Sequence, residues 1–225
     1  MARRRRPHEA ALTTIPGVAR ASWIGTGISF VAIIGLAAAA IWSITFGLRG
    51  LTTEDIRRLR VQSDPPVLGS LQLTSSSGAS FRPWGAPQGS RRVWLVTFMY
   101  TRCPTLCTAL GIEFERLQRA LGQDPRDDHV RLLSISFDPA HDDIRALQAY
   151  AAEHHADPAR WIVAVPSSAS ALAKLEREAG VVVIQDGLGG YTHNAAIHVV
   201  LDDGRLVRIF TFDNPEAALT WARRL

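Results

Sequence analysis

The sequence predicts an α/β domain, a mixed sheet flanked by helices, preceded by one transmembrane helix. Three observations carry that prediction. No charged residue occurs between Arg20 and Arg49, a run of 28 positions. From residue 93 onward, short β-prone runs alternate with helix-like stretches, the pattern of strands covered by helices on both faces. Near the end, two apolar segments flank Asp202-Asp203-Gly204, a hairpin turn that adds antiparallel strands and makes the sheet mixed.

The uncharged run, residues 21–48, exceeds the roughly 20 apolar residues needed to cross the hydrocarbon layer. Trp23 and Trp42 lie near its ends, where indoles favour the lipid–water boundary. The tail before it, residues 1–20, holds Arg3, Arg4, Arg5, Arg6 and Arg20 against Glu9, a net charge of +4. Residues 49–225 carry 20 basic and 20 acidic side chains, so the whole formal excess lies in the tail. The positive-inside rule then puts the tail in the cytoplasm and the domain across the membrane, although Arg49, Arg57, Arg58 and Arg60 weaken the asymmetry. Arginine outnumbers lysine 24 to 1, the codon bias of a GC-rich bacterium, which points to an inner-membrane anchor with the domain in the periplasm. A cleavable signal peptide is the alternative, with Ala37–Ala40 as its small-residue site, but the apolar run continues past those alanines. A neutral domain excludes nucleic acid as a partner, since that needs a basic face.

Residues 49–66 read as a linker, within which Thr52-Thr53-Glu54-Asp55-Ile56 begins a short polar helix that Pro65-Pro66 ends. The domain proper is expected at 67–225. Leu71-Gln72-Leu73 alternates like a brief strand, and Ser75-Ser76-Ser77-Gly78 is turn chemistry. Pro83, Gly85, Pro87 and Gly89 punctuate a loop. A strand at 93–99 leads to a helix at 104–121, with Pro104 suited to its first turn. A strand at 130–136 precedes a helix near 142–155, and a strand at 161–165 precedes a helix near 168–178. Val181–Ile184 and a Gly-rich turn at Gly187, Gly189 and Gly190 come next, then the hairpin of 195–201 and 206–212. A helix at 215–224 closes the chain, with Asn214 as N-cap.

The two cysteines of the chain, Cys103 and Cys107, stand where the first long strand hands over to a helix. Helix N-termini offer unpaired N–H groups and a partial positive charge, both of which favour thiolate. A thiol pair beside βαβ patterning, with a terminal hairpin and helix, is the thioredoxin-like layout. Here the spacing is C-x-x-x-C, one helical turn, which relaxes the redox geometry of C-x-x-C and suits a shared ligand. A purely structural disulfide is the plain alternative, yet so short a loop removes little unfolded-state entropy. Structural zinc wants four ligands.

Seven histidines are available to complete a metal site. His8 is in the tail. His154 and His155 end a helix and are expected in solvent; His129 and His141 read as surface residues. His198 lies within a strand. His193 follows the Gly-rich turn, where a mobile loop would carry it towards the cysteines; position alone leaves it a candidate.

Phe98-Met99-Tyr100-Thr101-Arg102-Cys103-Pro104-Thr105-Leu106-Cys107 resembles the copper motif of the SCO/SenC family. Leu132–Asp142 resembles that family's I-S-x-D-P segment followed by an acidic residue, and Trp161 the tryptophan that opens its next strand. Tyr191-Thr192-His193-Asn194, continuing to Val200–Leu206, resembles its histidine loop and hairpin. The likeness runs in order over residues 67–212. It implies a membrane-tethered, thioredoxin-like copper chaperone, binding Cu(I) or Cu(II) through Cys103, Cys107 and His193 and helping to build the binuclear copper centre of cytochrome c oxidase. The partners it implies are the membrane, the copper-bearing oxidase subunit or another copper acceptor, and a thiol reductant. Three features depart from the family pattern: Thr108 replaces a frequent proline, Thr192 and Asn194 replace the usual aspartate and serine around the histidine, and the loop before His193 is short and glycine-rich.

Two thiolates and an imidazole suit copper, and oxidation to a disulfide excludes the metal. Met99 is the only methionine besides Met1, so a methionine-rich carrier is excluded. From the enzyme class, a thiol–disulfide reductase acting through Cys103 and Cys107 is the alternative, with His193 incidental. A peroxidase with Cys107 as resolving partner is a third reading. Asp138, at a strand end before Pro139, is expected either to face the copper loop or an electron-transfer partner, or to serve as a turn carboxylate.

Overall fold

The computed structural model describes residues 23–85, 91–103, 105–187 and 189–225. The charged tail with His8, the loop residues Pro87 and Gly89, and the placement of Pro104 lie outside the described residues. The chain divides into two compact units, Met1–Arg49 and Gly50–Leu225.

In the first unit, Trp23–Ile44 is one helix, α1, whose Gly27–Ile44 stretch is long and apolar enough to cross a membrane. The second unit opens with α2 (Thr53–Ser63), held at its start by a capping box. The Thr52 hydroxyl accepts from the Asp55 N–H, and the Asp55 carboxylate accepts from the Thr52 N–H. α2 falls in the stretch expected as a linker, but it is packed onto the domain. Val61 is buried, and the Arg57 guanidinium donates to the Ala179 carbonyl at 2.7 Å.

Nine strands follow among the described residues. β1 (Leu73–Ser75) and β2 (Ser80–Phe81) form a hairpin whose turn needs Gly78 at φ 84°. The expected strand at 71–73 is thus displaced two residues, and β2 carried no sequence signal. The long strands are β3 (Val93–Met99), β4 (Val130–Ser136), β5 (Trp161–Pro166), β8 (Ala196–Leu201) and β9 (Leu206–Thr211). Their order in the main sheet is β2-β1-β5-β4-β3-β8-β9. β3, buried at all seven positions, is parallel to β4 and antiparallel to β8, so the sheet is mixed as expected.

Register fixes the two faces, because alternate residues point opposite ways. Val199, Leu95, Leu132 and Trp161 line up across one face; His198, Val96, Leu133 and Ile162 line up across the other. On the first, α3 (Leu106–Leu121) sets Phe114 against Trp161, and α4 (Ile144–Glu153) brings Tyr150 to the same ring. α6 (Pro215–Ala222), capped by Asn214 as expected, packs with α3. On the second, α2 and α5 (Ala169–Ala179) meet where Arg57 spans the Ala179 carbonyl and the buried His198 ring, 3.3 Å from its Nε2.

One expectation about this layer fails. His154 is buried, not in solvent: its ring lies 4.5 Å from that of Tyr150 and fills the space left by Gly111 of α3. Only glycine at 111 leaves room for it.

A second, two-stranded sheet pairs β6 (Val183–Gln185) with β7 (Tyr191–His193). His193 therefore rides on a strand, registered opposite Val183, and not on the mobile loop expected.

Candidate metal centre

The end of β3, the start of α3, the end of β4 and the β6–β7 hairpin meet at one spot. The backbone there is tied down by a single carboxylate. Asp142, almost fully buried, accepts from the Thr101 N–H at 3.0 Å, the Thr101 hydroxyl at 2.6 Å and the Ser136 hydroxyl at 2.6 Å. Thr101 stands two residues before Cys103, so β4 holds the turn that presents the first sulfur. In the sequence Asp142 is only the acidic end of a motif, and nothing in its spacing points to Thr101.

Cys103 and Cys107 are free thiols, both buried. The Cys107 N–H, in the first turn of α3, donates to Cys103 Sγ at 3.3 Å. Burial pushes the Cys103 thiol up, but the Cys107 side chain, the N–H groups of Cys107 and Thr105, and the Tyr100 hydroxyl outweigh it and hold its pKa below the ordinary value. Cys107 goes the other way. Burial raises it strongly, and the neighbouring Cys103 and Asp142 charges add to the rise. The helix start thus favours the outer sulfur as thiolate, while burial and the neighbouring charges keep the inner one protonated. Tyr150, on α4, donates its hydroxyl to the Cys107 carbonyl at 3.2 Å.

His193 reaches the same place from the other side: its Nε2 lies 4.0 Å from Cys107 Sγ. Its ring packs edge-on against Phe137, 5.1 Å between centroids. Burial lowers its pKa to about 4, so the ring is neutral at pH 7 and has a lone pair to give. Nδ1 is buried with no partner among the described residues. The structure thus brings all three sequence-singled residues into one neighbourhood. Among the described residues no group of three or more His, Cys, Asp and Glu side chains is already set to hold a metal ion, so closing the site needs a small approach of His193 and the cysteines. The donors do fit a thiophilic ion. With bond lengths of about 2.3 Å to sulfur and 2.0 Å to nitrogen, a sulfur and a nitrogen on one ion stand roughly 3.5 Å apart in tetrahedral, 3.7 Å in trigonal and 4.3 Å in linear coordination, and the observed 4.0 Å lies between the last two.

Asp138 resolves between its two readings towards the site. It is buried, accepting from Arg102 at 2.8 Å, His141 Nδ1 at 2.8 Å and, at 3.4 Å, the Tyr191 hydroxyl. Burial works against its charge, but Arg102 and His141 prevail and keep its pKa below the ordinary range. Arg102 adjoins Cys103 and Tyr191 lies two residues before His193, so this carboxylate touches both halves of the centre. Tyr100 does likewise, accepting from the Tyr191 N–H at 3.1 Å. A cleft of about 290 Å³ opens here, walled by Arg102, His141, Tyr191 and the Gly-rich turn. The domain's larger cleft, about 520 Å³ between α2 and the end of α5, lies away from the sulfurs.

Residues 61–223 match the model of the SCO1/SenC family, well over half of the chain. The protein belongs to the SCO1/SenC family. Among its relatives, the SCO1 protein homolog of Bacillus subtilis is 25% identical over 118 residues, which cover 52% of this chain and 60% of that protein. The SCO1/SenC family lipoprotein of Bacillus anthracis superposes with a TM-score of 0.63 at 21% identity, covering 72% of this chain and 97% of the other. Bradyrhizobium japonicum ScoI, solved with copper bound, is 27% identical with a TM-score of 0.54, covering 70% and 98%. The thioredoxin-like architecture is thus shared with SCO1/SenC structures, of which ScoI of Bradyrhizobium japonicum has copper bound.

Proposed function

We propose that this SCO1/SenC protein is a membrane-anchored copper chaperone. Cys103, Cys107 and His193 would hold one copper ion, and the acceptor would be the copper-bearing subunit of cytochrome c oxidase. One observation supports the ligand set above the rest: a neutral imidazole nitrogen stands 4.0 Å from the inner sulfur, although 86 residues separate the two in sequence. Relatives supply the context: ScoI of Bradyrhizobium japonicum is solved with copper bound, and BsSco is described as a member of the Sco family of cytochrome c oxidase assembly proteins. In this reading residues 1–20 stay in the cytoplasm, 21–48 span the inner membrane, 49–66 join anchor to domain, and 67–225 carry the copper in the periplasm.

The residues divide the work. Cys103 is the thiol already biased towards thiolate, so it receives the ion first. Cys107 must give up a proton to follow, which makes loading release protons and weaken as pH falls. His193 needs no deprotonation above pH about 4. Asp142 and Asp138 position the cysteine turn and the histidine hairpin, and Phe137 orients the ring. The acceptor would approach through the cleft beside Arg102 and Tyr191, where ligands are exchanged one at a time.

A second reading is favoured by the asymmetry of the thiols. A lowered outer cysteine above a raised inner one is how a dithiol reductase is arranged. Cys103 thiolate would attack an acceptor disulfide, forming a mixed disulfide and releasing one acceptor thiolate. Cys107 would then displace the second, leaving a Cys103–Cys107 disulfide that a thiol reductant restores with two electrons.

His193→Ala separates the readings in the anaerobically reduced, detergent-solubilised chain. A chaperone loses copper affinity or changes its copper spectrum while disulfide reduction is preserved. Unaltered copper stoichiometry, affinity and spectrum in His193→Ala would remove the three-ligand site.

A further inference from the structure

At the other end of β3 from the thiols, the chain holds a cleft of about 330 Å³ that the copper chemistry does not use. Phe81, Trp94, Pro158 and Ile162 give it apolar and aromatic walls. Arg82 and Arg92 supply its charge, and among the described residues no carboxylate lines it. Neither guanidinium, each exposed at the rim, has an acidic partner among the described residues, so both are open to an anion.

A second, independent feature lies in the wall itself. Trp94 is nearly fully buried, and its Nε1–H has no acceptor among the described residues. A buried donor left unpaired costs free energy, but this nitrogen is itself closed to solvent, so Trp94 offers the cleft its ring and not its N–H. The other buried tryptophans with a comparable task have acceptors: Trp84 donates to the Gly69 carbonyl and Trp161 to the Ser134 hydroxyl, both at 3.0 Å. The positive field extends below the cleft. Arg131, the register partner of Trp94, has its pKa lowered by burial and by the Arg92 charge.

We infer that this cleft is a binding site for a carboxylate carried on a flat or branched apolar body, its charge met by Arg82 and Arg92 and its body laid against Phe81, Trp94 and Ile162. The volume is at the small end for ligand sites, which suits an occupant of one ring or a single apolar residue. Two sources share that chemistry, a free aromatic or branched-chain acid and the C-terminal residue of a peptide.

Phenylacetate serves as the probe, titrated calorimetrically into the full-length chain in a non-ionic detergent. An acid of this size in a preformed cleft binds with Kd on the order of 1 mM. Phenylethanol, equal in shape but neutral, is expected to bind at least about ten-fold more weakly, as is phenylacetate to Arg92→Gln. Ile162→Trp, which fills the cleft, abolishes binding. Copper loading and Tm serve as checks that both variants are folded, since Cys103, Cys107 and His193 lie at the opposite end of the strand. A peptide ending in phenylalanine that binds more tightly than phenylacetate, and loses binding on C-terminal amidation, assigns the site to chain termini; preference for the free acid assigns it to a small molecule. Absence of phenylacetate binding at 10-fold above that Kd overturns the inference, and so does binding unchanged in folded Arg92→Gln and Ile162→Trp.

Discussion

Asp142→Ala would remove the carboxylate that ties the cysteine turn to β4. Three donors lose their acceptor: the Thr101 N–H, the Thr101 hydroxyl and the Ser136 hydroxyl, at 3.0, 2.6 and 2.6 Å. Hydrogen bonds to a charged group contribute about 1.5–3 kcal/mol each. The sum overstates the loss, because hydroxyls can turn to new acceptors and water can fill the space, whereas the N–H cannot move. About 3–4 kcal/mol is the working figure, in the range found when one partner of a buried charged set is deleted. For a domain of this size that lowers Tm by roughly 6–16 °C. Urea unfolding of the reduced full-length chain, followed by tryptophan fluorescence, measures it. Asp142→Asn keeps the shape and should lose about half as much. The same variant should weaken copper binding, since Thr101 sets where Cys103 stands, and Thr101→Val should show coupling with Asp142→Ala in a double-mutant cycle. A loss below about 1 kcal/mol, or strict additivity of the two changes, would refute the claim that this carboxylate organises the turn.

Tyr100→Phe deletes a hydroxyl that helps hold Cys103 low, so the thiolate absorbance of Cys103 should titrate at higher pH than in the parent chain. Gly111→Ala drives a Cβ into the buried His154 ring, and overpacking of that kind costs about 1–3 kcal/mol; chemical denaturation should show it. Stability should also fall as pH drops. His193 and His198 are held at about 4 and about 3, the latter by burial and then by Arg57, while the unfolded histidines titrate near 6.5. The unfolded chain therefore binds more protons below pH 6.5, and stability is lost progressively from there towards pH 4. His198→Gln should flatten that slope in a Tm-versus-pH series; an unchanged slope would show that His198 does not contribute to it.

Long periodic elements could be read from the residues, and short ones could not. Val93–Met99 and Val130–Ser136 were predicted at their observed bounds because seven β-prone residues between turn signals leave little choice. β6 and β7 are three residues each, too short for a period of two to register, so the residues around His193 read as a loop. β2, at two residues, gave no signal either. His154 was misplaced because its burial depends on a glycine 43 positions away, a purely tertiary fact. The packing of α2 rests on Arg57 reaching Ala179 and His198, and an arginine in a polar helix does not announce such a contact. At the centre itself, the cysteine spacing and its place at a strand–helix junction were visible, whereas the supports were not. Tyr150, Tyr191 and Asp142 act through hydrogen bonds between elements distant in sequence.

The proposed copper site is tested most directly by X-ray absorption at the copper edge on the reduced, copper-loaded chain. One ion per chain with two sulfur donors and one imidazole nitrogen is predicted, the nitrogen signal vanishing in His193→Ala. Sulfur-only coordination, or a nitrogen shell that survives loss of His193, would contradict it.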